Sequence, residues 1–135
     1  MVRLTRAIEF SSSLRYARPG LSAEENARLF GREASQHGHN YRLEVTLRGE
    51  PDPVTGMVID LKRLQDLLER EIMARFDHRD LNRDTDFFEK APPTPENLLS
   101  VIARLLQAAL PAGSLDRLRL QQDEDLWVEW IESNA

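Results

Sequence analysis

Tyr41, Leu43, Val45 and Leu47 alternate without a break with Arg42, Glu44, Thr46 and Arg48. Only an extended strand with one face buried and the other in water places apolar and charged side chains at a two-residue period, so this segment must be a strand of a half-solvated sheet. Val2, Leu4, Ile8 and Phe10 repeat the pattern against Arg3, Thr5 and Glu9, with Arg6 the one break, and predict a first strand over 2–10. Between them, a Pro19-Gly20 turn and a Ser22-x-x-Glu25 capping box start a short helix ahead of Leu29-Phe30-Gly31, read as an insertion in a hairpin. The period then changes. Asp60 can cap a helix whose Leu61, Leu64, Leu68, Ile72 and Phe76 fall three or four apart, and Thr94-Pro95-Glu96 starts a second whose inner face is Leu98, Val101, Ile102, Leu105 and Ala109. Leu118 and Leu120, then Leu126, Val128 and Trp130, restore the two-residue period on either side of the acidic turn Asp123-Glu124-Asp125, as a terminal hairpin.

The order is ββααββ. It predicts an α+β fold in one domain, 1–135: a four-stranded antiparallel sheet with two helices on one face. Two helices cannot cover both faces, and the outer strands leave backbone groups unpaired, so self-association is expected.

Composition narrows the function. With 18 basic against 23 acidic residues the net charge is −5, and no stretch gathers five or more basic residues, which argues against nucleic acid and anionic lipid as partners. No apolar run approaches the roughly 20 residues of a membrane helix, and Met1-Val2-Arg3-Leu4-Thr5 lacks the apolar core of a signal peptide, so the expected location is the cytoplasm. The absence of cysteine removes thiolate ligands and thiol nucleophiles together. Any catalysis must run on carboxylates, imidazoles, hydroxyls or a metal.

Two clusters could carry it. His37 and His39, two apart at the start of the second strand, project from one face as a pair of metal ligands must; the plainer alternative is a hydrogen-bonded pair with Gly38 setting a bulge. Their odd numbering, shared with Tyr41, Leu43 and Val45, puts them at the border of the helix-covered face if no bulge intervenes. Asp77-His78 lies where the first long helix gives out. A carboxylate beside an imidazole can orient it for acid or base work, or the two can simply end the helix. Thr94 is most simply a cap, and Trp127 and Trp130 most simply core or subunit-contact residues.

In combination the motifs say more. Phe10-Ser11-Ser12-Ser13, Leu29-Phe30-Gly31, His37-Gly38-His39-Asn40-Tyr41, Gly56-Met57-Val58-Ile59-Asp60, Asp77-His78-Arg79-Asp80-Leu81-Asn82 and Pro93-Thr94-Pro95-Glu96-Asn97 resemble, in order and spacing, the 6-pyruvoyltetrahydropterin synthase family, which includes 6-carboxytetrahydropterin synthases. The resemblance implies the tunnelling fold (T-fold), trimers paired into homohexamers around a barrel, and a dihydropterin substrate. It also implies a zinc ion held by three histidines, a cysteine acting in proton abstraction with an Asp-His pair, and a glutamate gripping the pterin ring. His37 and His39 match two zinc ligands, Asp77 and His78 the catalytic pair, and Thr94 and Glu96 pocket positions.

Three positions depart from the pattern. Leu14 stands where the first zinc histidine falls, Glu33 where the cysteine falls, and Gln122, followed by Asp123 in place of threonine, where the pterin-gripping glutamate falls. Leucine offers a metal no lone pair, so the zinc site is expected to be incomplete and no bound cofactor is expected. Glu33 is open to three readings: a solvated loop residue, a base in place of the thiol, or a third metal ligand. Gln122 exchanges two acceptors for one acceptor and one donor, which shifts the preferred ligand edge toward other pterin-like or purine-like rings. The leading expectation is a divergent homolog that binds such a ring without the zinc-dependent triphosphate elimination. The alternatives are an active lyase on 7,8-dihydroneopterin triphosphate, with Glu33 for the cysteine and a metal on His37, His39 and a carboxylate, and a non-catalytic assembly or regulatory protein.

Overall fold

The computed structural model describes residues 1–133. In chain order the elements are β1 (Val2–Leu14), α1 (Ala23–Phe30), β2 (His37–Gly49), α2 (Leu61–Leu68), α3 (Ala74–Phe76), β3 (Arg79–Asp80), α4 (Pro95–Ala109), β4 (Leu115–Gln122) and β5 (Leu126–Ile131). The expected ββααββ order holds, but among the described residues the sheet has five strands rather than four, ordered β3-β1-β2-β4-β5. The fifth, β3, runs parallel to the end of β1, Ser12 opposite Arg79 and Ser13 opposite Asp80. Two residues are too few to show a period, which is why the sequence pattern misses it. The His78 and Leu81 amides, donating to the carbonyls of Ser11 and Ser13 at 2.6 and 2.9 Å, hold it in place.

β1 and β2 pair antiparallel without a slip from Val2 opposite Gly49 to Leu14 opposite His37. β1 therefore outruns its predicted end at Phe10 by the run Ser11–Leu14, whose three serines hide the alternation. Even positions of β1 and odd positions of β2 face the helices, so Phe10, Leu14, Tyr41, Leu43, Val45 and Leu47 enter the core with Leu118 and Leu120 of β4. A bulge opposite Thr46 and Leu47 brings Leu115 inward as well.

α1 buries no residue, in keeping with an insertion. Its capping box forms in both directions, the Ser22 hydroxyl accepting from the Glu25 amide at 3.1 Å and the Glu25 carboxylate from the Ser22 amide at 3.2 Å.

α2 and α3 form one helix joined by a π-helical turn, Glu69–Met73. Leu64, Leu68, Ile72 and Phe76 step by four, and at 3.6 residues per turn each step drifts about 40° around a regular helix. The wider π turn absorbs that drift, and all four end fully buried or nearly so. Leu61, expected inside, lies on the exposed side, and Leu67 takes the inner position instead. In α4, Leu98, Val101 and Ile102 face inward as expected with Leu99, Ala103 and Leu106, while Leu105 and Ala109 are only partly covered. No helix among the described residues is long and apolar enough to cross a membrane.

This division predicts unequal costs for equal truncations. Leu64→Ala should lose about 2–5 kcal/mol in denaturant unfolding, whereas Leu61→Ala should stay within about 0.5 kcal/mol of the parent. Equal losses would contradict the helix orientation.

Candidate functional site

Because β1–β2 pairing is unbroken, no bulge intervenes and His37, His39 and Tyr41 succeed one another on the helix-covered face, at its open end. Each imidazole is held through Nδ1. His37 Nδ1 lies 2.7 Å from the Ser35 carbonyl oxygen and His39 Nδ1 lies 2.6 Å from Asp123 Oδ2. Both partners are acceptors, so Nδ1 carries a hydrogen in each ring and Nε2 is the nitrogen turned toward the site. Both Nε2 atoms are buried, and that of His39 has no hydrogen-bond partner.

Glu33 closes the group. It sits in the 3-10 turn Gly31–Ala34 that follows α1, and its carbonyl oxygen accepts from the Tyr16 amide at 2.7 Å. Its Oε2 reaches within 2.8 Å of His37 Nε2, and ligand atoms of Glu33, His37 and His39 all lie within 4.8 Å of one another. A lone pair and a carboxylate repel each other at such a distance unless a proton or a cation lies between them. Two imidazoles and a glutamate form a donor set found at catalytic zinc sites. Leu14, directly opposite His37 and fully buried on the same face, offers no donor.

Tyr16 is the site residue that sequence reasoning missed. It follows β1, where strand parity no longer places side chains, and its ring meets His37 and Phe30 edge to face, each at 5.9 Å. Burial, reinforced by the negative charges of Glu33 and Glu96, pushes its phenol up to about 12. Tyr41 is driven higher still, by burial first and then by Tyr16 and Asp123, and its hydroxyl has no partner. Gln122 lies opposite Tyr41 across the β2–β4 pairing, so the two share a face, and its Oε1 is likewise buried and unpaired.

Asp77 and His78 lie apart from this group, on the outer edge of β1. Just past α3 the chain turns, and His78 takes a left-handed backbone (φ 59°) that few non-glycine residues adopt. Asp77 Oδ1 accepts from the Ser11 amide at 3.0 Å and sits 3.0 Å from His78 Nδ1. Burial works to raise the Asp77 pKa, but the Ser11 amide and His78 outweigh it and hold the carboxyl below its ordinary range. The His78 ring is exposed, and it lines one cavity of about 380 Å³ with Ser11, Ser13, His39, Asn40 and Asp123. Thr94 caps α4, its hydroxyl accepting from the Asn97 amide at 3.1 Å. Glu96 is exposed in the first turn of α4.

Known proteins share this sequence pattern and this fold. The sequence model of a family described as 6-pyruvoyl tetrahydropterin synthase matches residues 3–132. A 6-pyruvoyl tetrahydrobiopterin synthase of Pongo abelii is 40% identical over 125 residues, covering 91% of this chain and 86% of that protein. A dihydroneopterin monophosphate aldolase of Pyrococcus furiosus is 33% identical over 94 residues, 69% of this chain and 75% of that protein. The solved 6-pyruvoyl tetrahydropterin synthase of Caenorhabditis elegans superposes with a TM-score of 0.86 at 31% identity, covering 98% of this chain and 96% of that one.

The two tyrosines of the chain both belong to this site, which makes their ionisation a probe of it. Folding raises both pKa values, so the stability they contribute is complete below about pH 10 and is lost as pH climbs through the folded values. An absorbance titration at 295 nm should show almost no tyrosinate at pH 10, where a free phenol is half ionised, and then a steep rise coincident with unfolding. Half-ionisation of either tyrosine in the folded protein near pH 10 would contradict the packing.

Proposed function

The chain belongs to the 6-pyruvoyl tetrahydropterin synthase family, and from that premise we propose that it is a metal-dependent lyase acting on the side chain of a reduced pterin. One observation carries the proposal: Glu33 Oε2 and the buried Nε2 atoms of His37 and His39 converge on a point that only a proton or a cation can occupy favourably. In this reading Glu33 supplies the donor that Leu14 withholds, which makes a set of two histidines and one carboxylate. The names of the relatives share the pterin ring and differ in the reaction, which supports the substrate class ahead of the bond cleaved.

A divalent metal on these three residues supplies electrophilic polarisation of a side-chain oxygen of the substrate. The remaining residues bind the ring and move protons. Asp77 orients His78 through Nδ1, so His78 is the proposed proton carrier of the cavity it shares with His39. Gln122 is the proposed ring contact, its unpaired Oε1 awaiting a donor. Glu96 is proposed to reach the ligand past Tyr16, with Thr94 setting the start of its helix. The chain is proposed as a single cytoplasmic domain that assembles as a homohexamer, since β5 is an edge strand carrying the exposed side chains Leu126, Trp127 and Ile131.

A second reading keeps the scaffold and the pterin-like or purine-like ligand but drops the elimination. Its supporting observation is Leu14, which is fully buried opposite His37 and offers no donor.

Metal analysis separates the two. The first reading expects about one zinc per chain in the purified protein, removed by chelation together with turnover of 7,8-dihydroneopterin triphosphate. It also expects Glu33→Ala to weaken metal binding by more than the roughly 100-fold of outer-shell changes. Turnover that survives exhaustive chelation, or metal held equally well by E33A, would sink it, and a metal-free, inactive protein would establish the second. In either case Gln122→Glu should tighten binding of a standard pterin by about tenfold to a hundredfold in calorimetry, since an unpaired ring donor costs about 1–3 kcal/mol.

A further inference from the structure

His37 and His39 present the same nitrogen to the centre but are held by different means. The acceptor for His37 is a neutral backbone carbonyl, that of Ser35. For His39 it is a charged side chain 84 residues further along the chain, Asp123, in the turn between β4 and β5. That carboxylate is fixed from several directions. Its Oδ1 accepts from the Asn40 amide at 3.2 Å, the Asp123 amide donates to the Asn40 carbonyl at 2.8 Å, and the residue adopts a left-handed backbone (φ 56°) that aspartate tolerates better than most residues. The clamp therefore leaves Oδ2 one place to go, against the ring of His39.

From this geometry we propose that Asp123 is the positioning residue of the metal centre: it holds His39 in the tautomer whose Nε2 can bind a cation. This moves Asp123 from the ligand contact expected of it to a role acting through His39, and it rests on the proposed assignment of Glu33, His37 and His39 as ligands. Without an acceptor at Nδ1 the ring is free to rotate and to take the other tautomer, in which Nε2 carries the hydrogen and repels a cation. A carboxylate also makes the ligand nitrogen more basic than a carbonyl does, so His39 becomes the stronger donor of the pair. Asp123 remains at the rim of the cavity of about 380 Å³, where the hydrogen bond to His39 occupies one of its oxygens.

The test uses two readouts on the full chain, one of them independent of metal. With only three histidines, imidazole ¹⁵N shifts can be assigned directly. In the metal-free protein His39 should carry its proton on Nδ1, and in Asp123→Ala that preference should disappear while His37 keeps it. Cobalt(II) titration, followed by visible absorbance, should give an affinity about 10- to 100-fold weaker for D123A. Asp123→Asn should fall between, because one amide oxygen can serve either His39 or Asn40. If D123A fails to fold, the same readouts on D123N decide. An unchanged His39 tautomer, or cobalt affinity equal to the parent's, overturns the role of Asp123. If the parent protein binds no cobalt, the proposed metal centre fails by itself, and the tautomer comparison still decides whether Asp123 positions His39.

Discussion

Everything at the site depends on an unslipped hairpin. β1 and β2 stay in register over thirteen residues each, and side chains alternate faces at every step, so a slip of one residue would send His37, His39 and Tyr41 to the solvent face and replace them with Gly38, Asn40 and Arg42. The core guards against that slip, because the same change would expose Leu43, Val45 and Leu47 and bury Arg42 and Glu44. Hydrophobic burial of about 1.5–3 kcal/mol per large apolar side chain thus keeps two imidazoles aimed at one point. Stability and chemistry draw on a single register.

What could be read from sequence follows the same division. The long alternation of β2 and the capped helices were legible because each rests on a local rule repeated many times. Strand parity alone puts the two histidines on the helix-covered face, where the unbroken register holds them. The π turn, the two-residue β3 and the inward turn of Leu67 were not legible, since each arises from how separate segments fit one another. The same holds within the site. Glu33 could be named from its spacing after Leu29-Phe30-Gly31, but its choice between solvent, base and ligand depends on a turn anchored by the Tyr16 amide. Tyr16 itself lies beyond the last paired residue of its strand, where no period reaches. Asp123 was legible as a residue of the ring site, whereas its bond to His39 requires the β4–β5 turn to fold back over the start of β2.

The electrostatics of the cluster point in one direction. Glu33 and Asp123 each touch an imidazole, and Glu96 raises the phenol of Tyr16. Both tyrosines answer by holding their protons, so they add hydroxyl donors without adding charge. The result is a small region rich in negative charge and lone pairs, with two imidazole nitrogens turned inward. Proteins gather such groups at a cost in repulsion and desolvation, and a cation at the centre is the simplest way to recover it.

Exchanging a histidine for a glutamate changes more than the ligand count. A carboxylate brings a full negative charge where an imidazole brings none, so a divalent ion on Glu33, His37 and His39 carries one unit less net positive charge than the same ion on three histidines. That lowers its pull on a substrate oxygen while strengthening its own retention. Asp123 deepens the effect by making His39 a stronger donor. A weaker electrophile would leave more of the barrier to proton transfer, the role proposed for His78, whose ring is oriented by a carboxylate held below its ordinary range, yet exposed in the cavity that His39 also lines. On the proposed reading the departures at Leu14 and Glu33 are coupled, since a carboxylate from the turn after α1 reaches His37 on the face where Leu14 offers no donor.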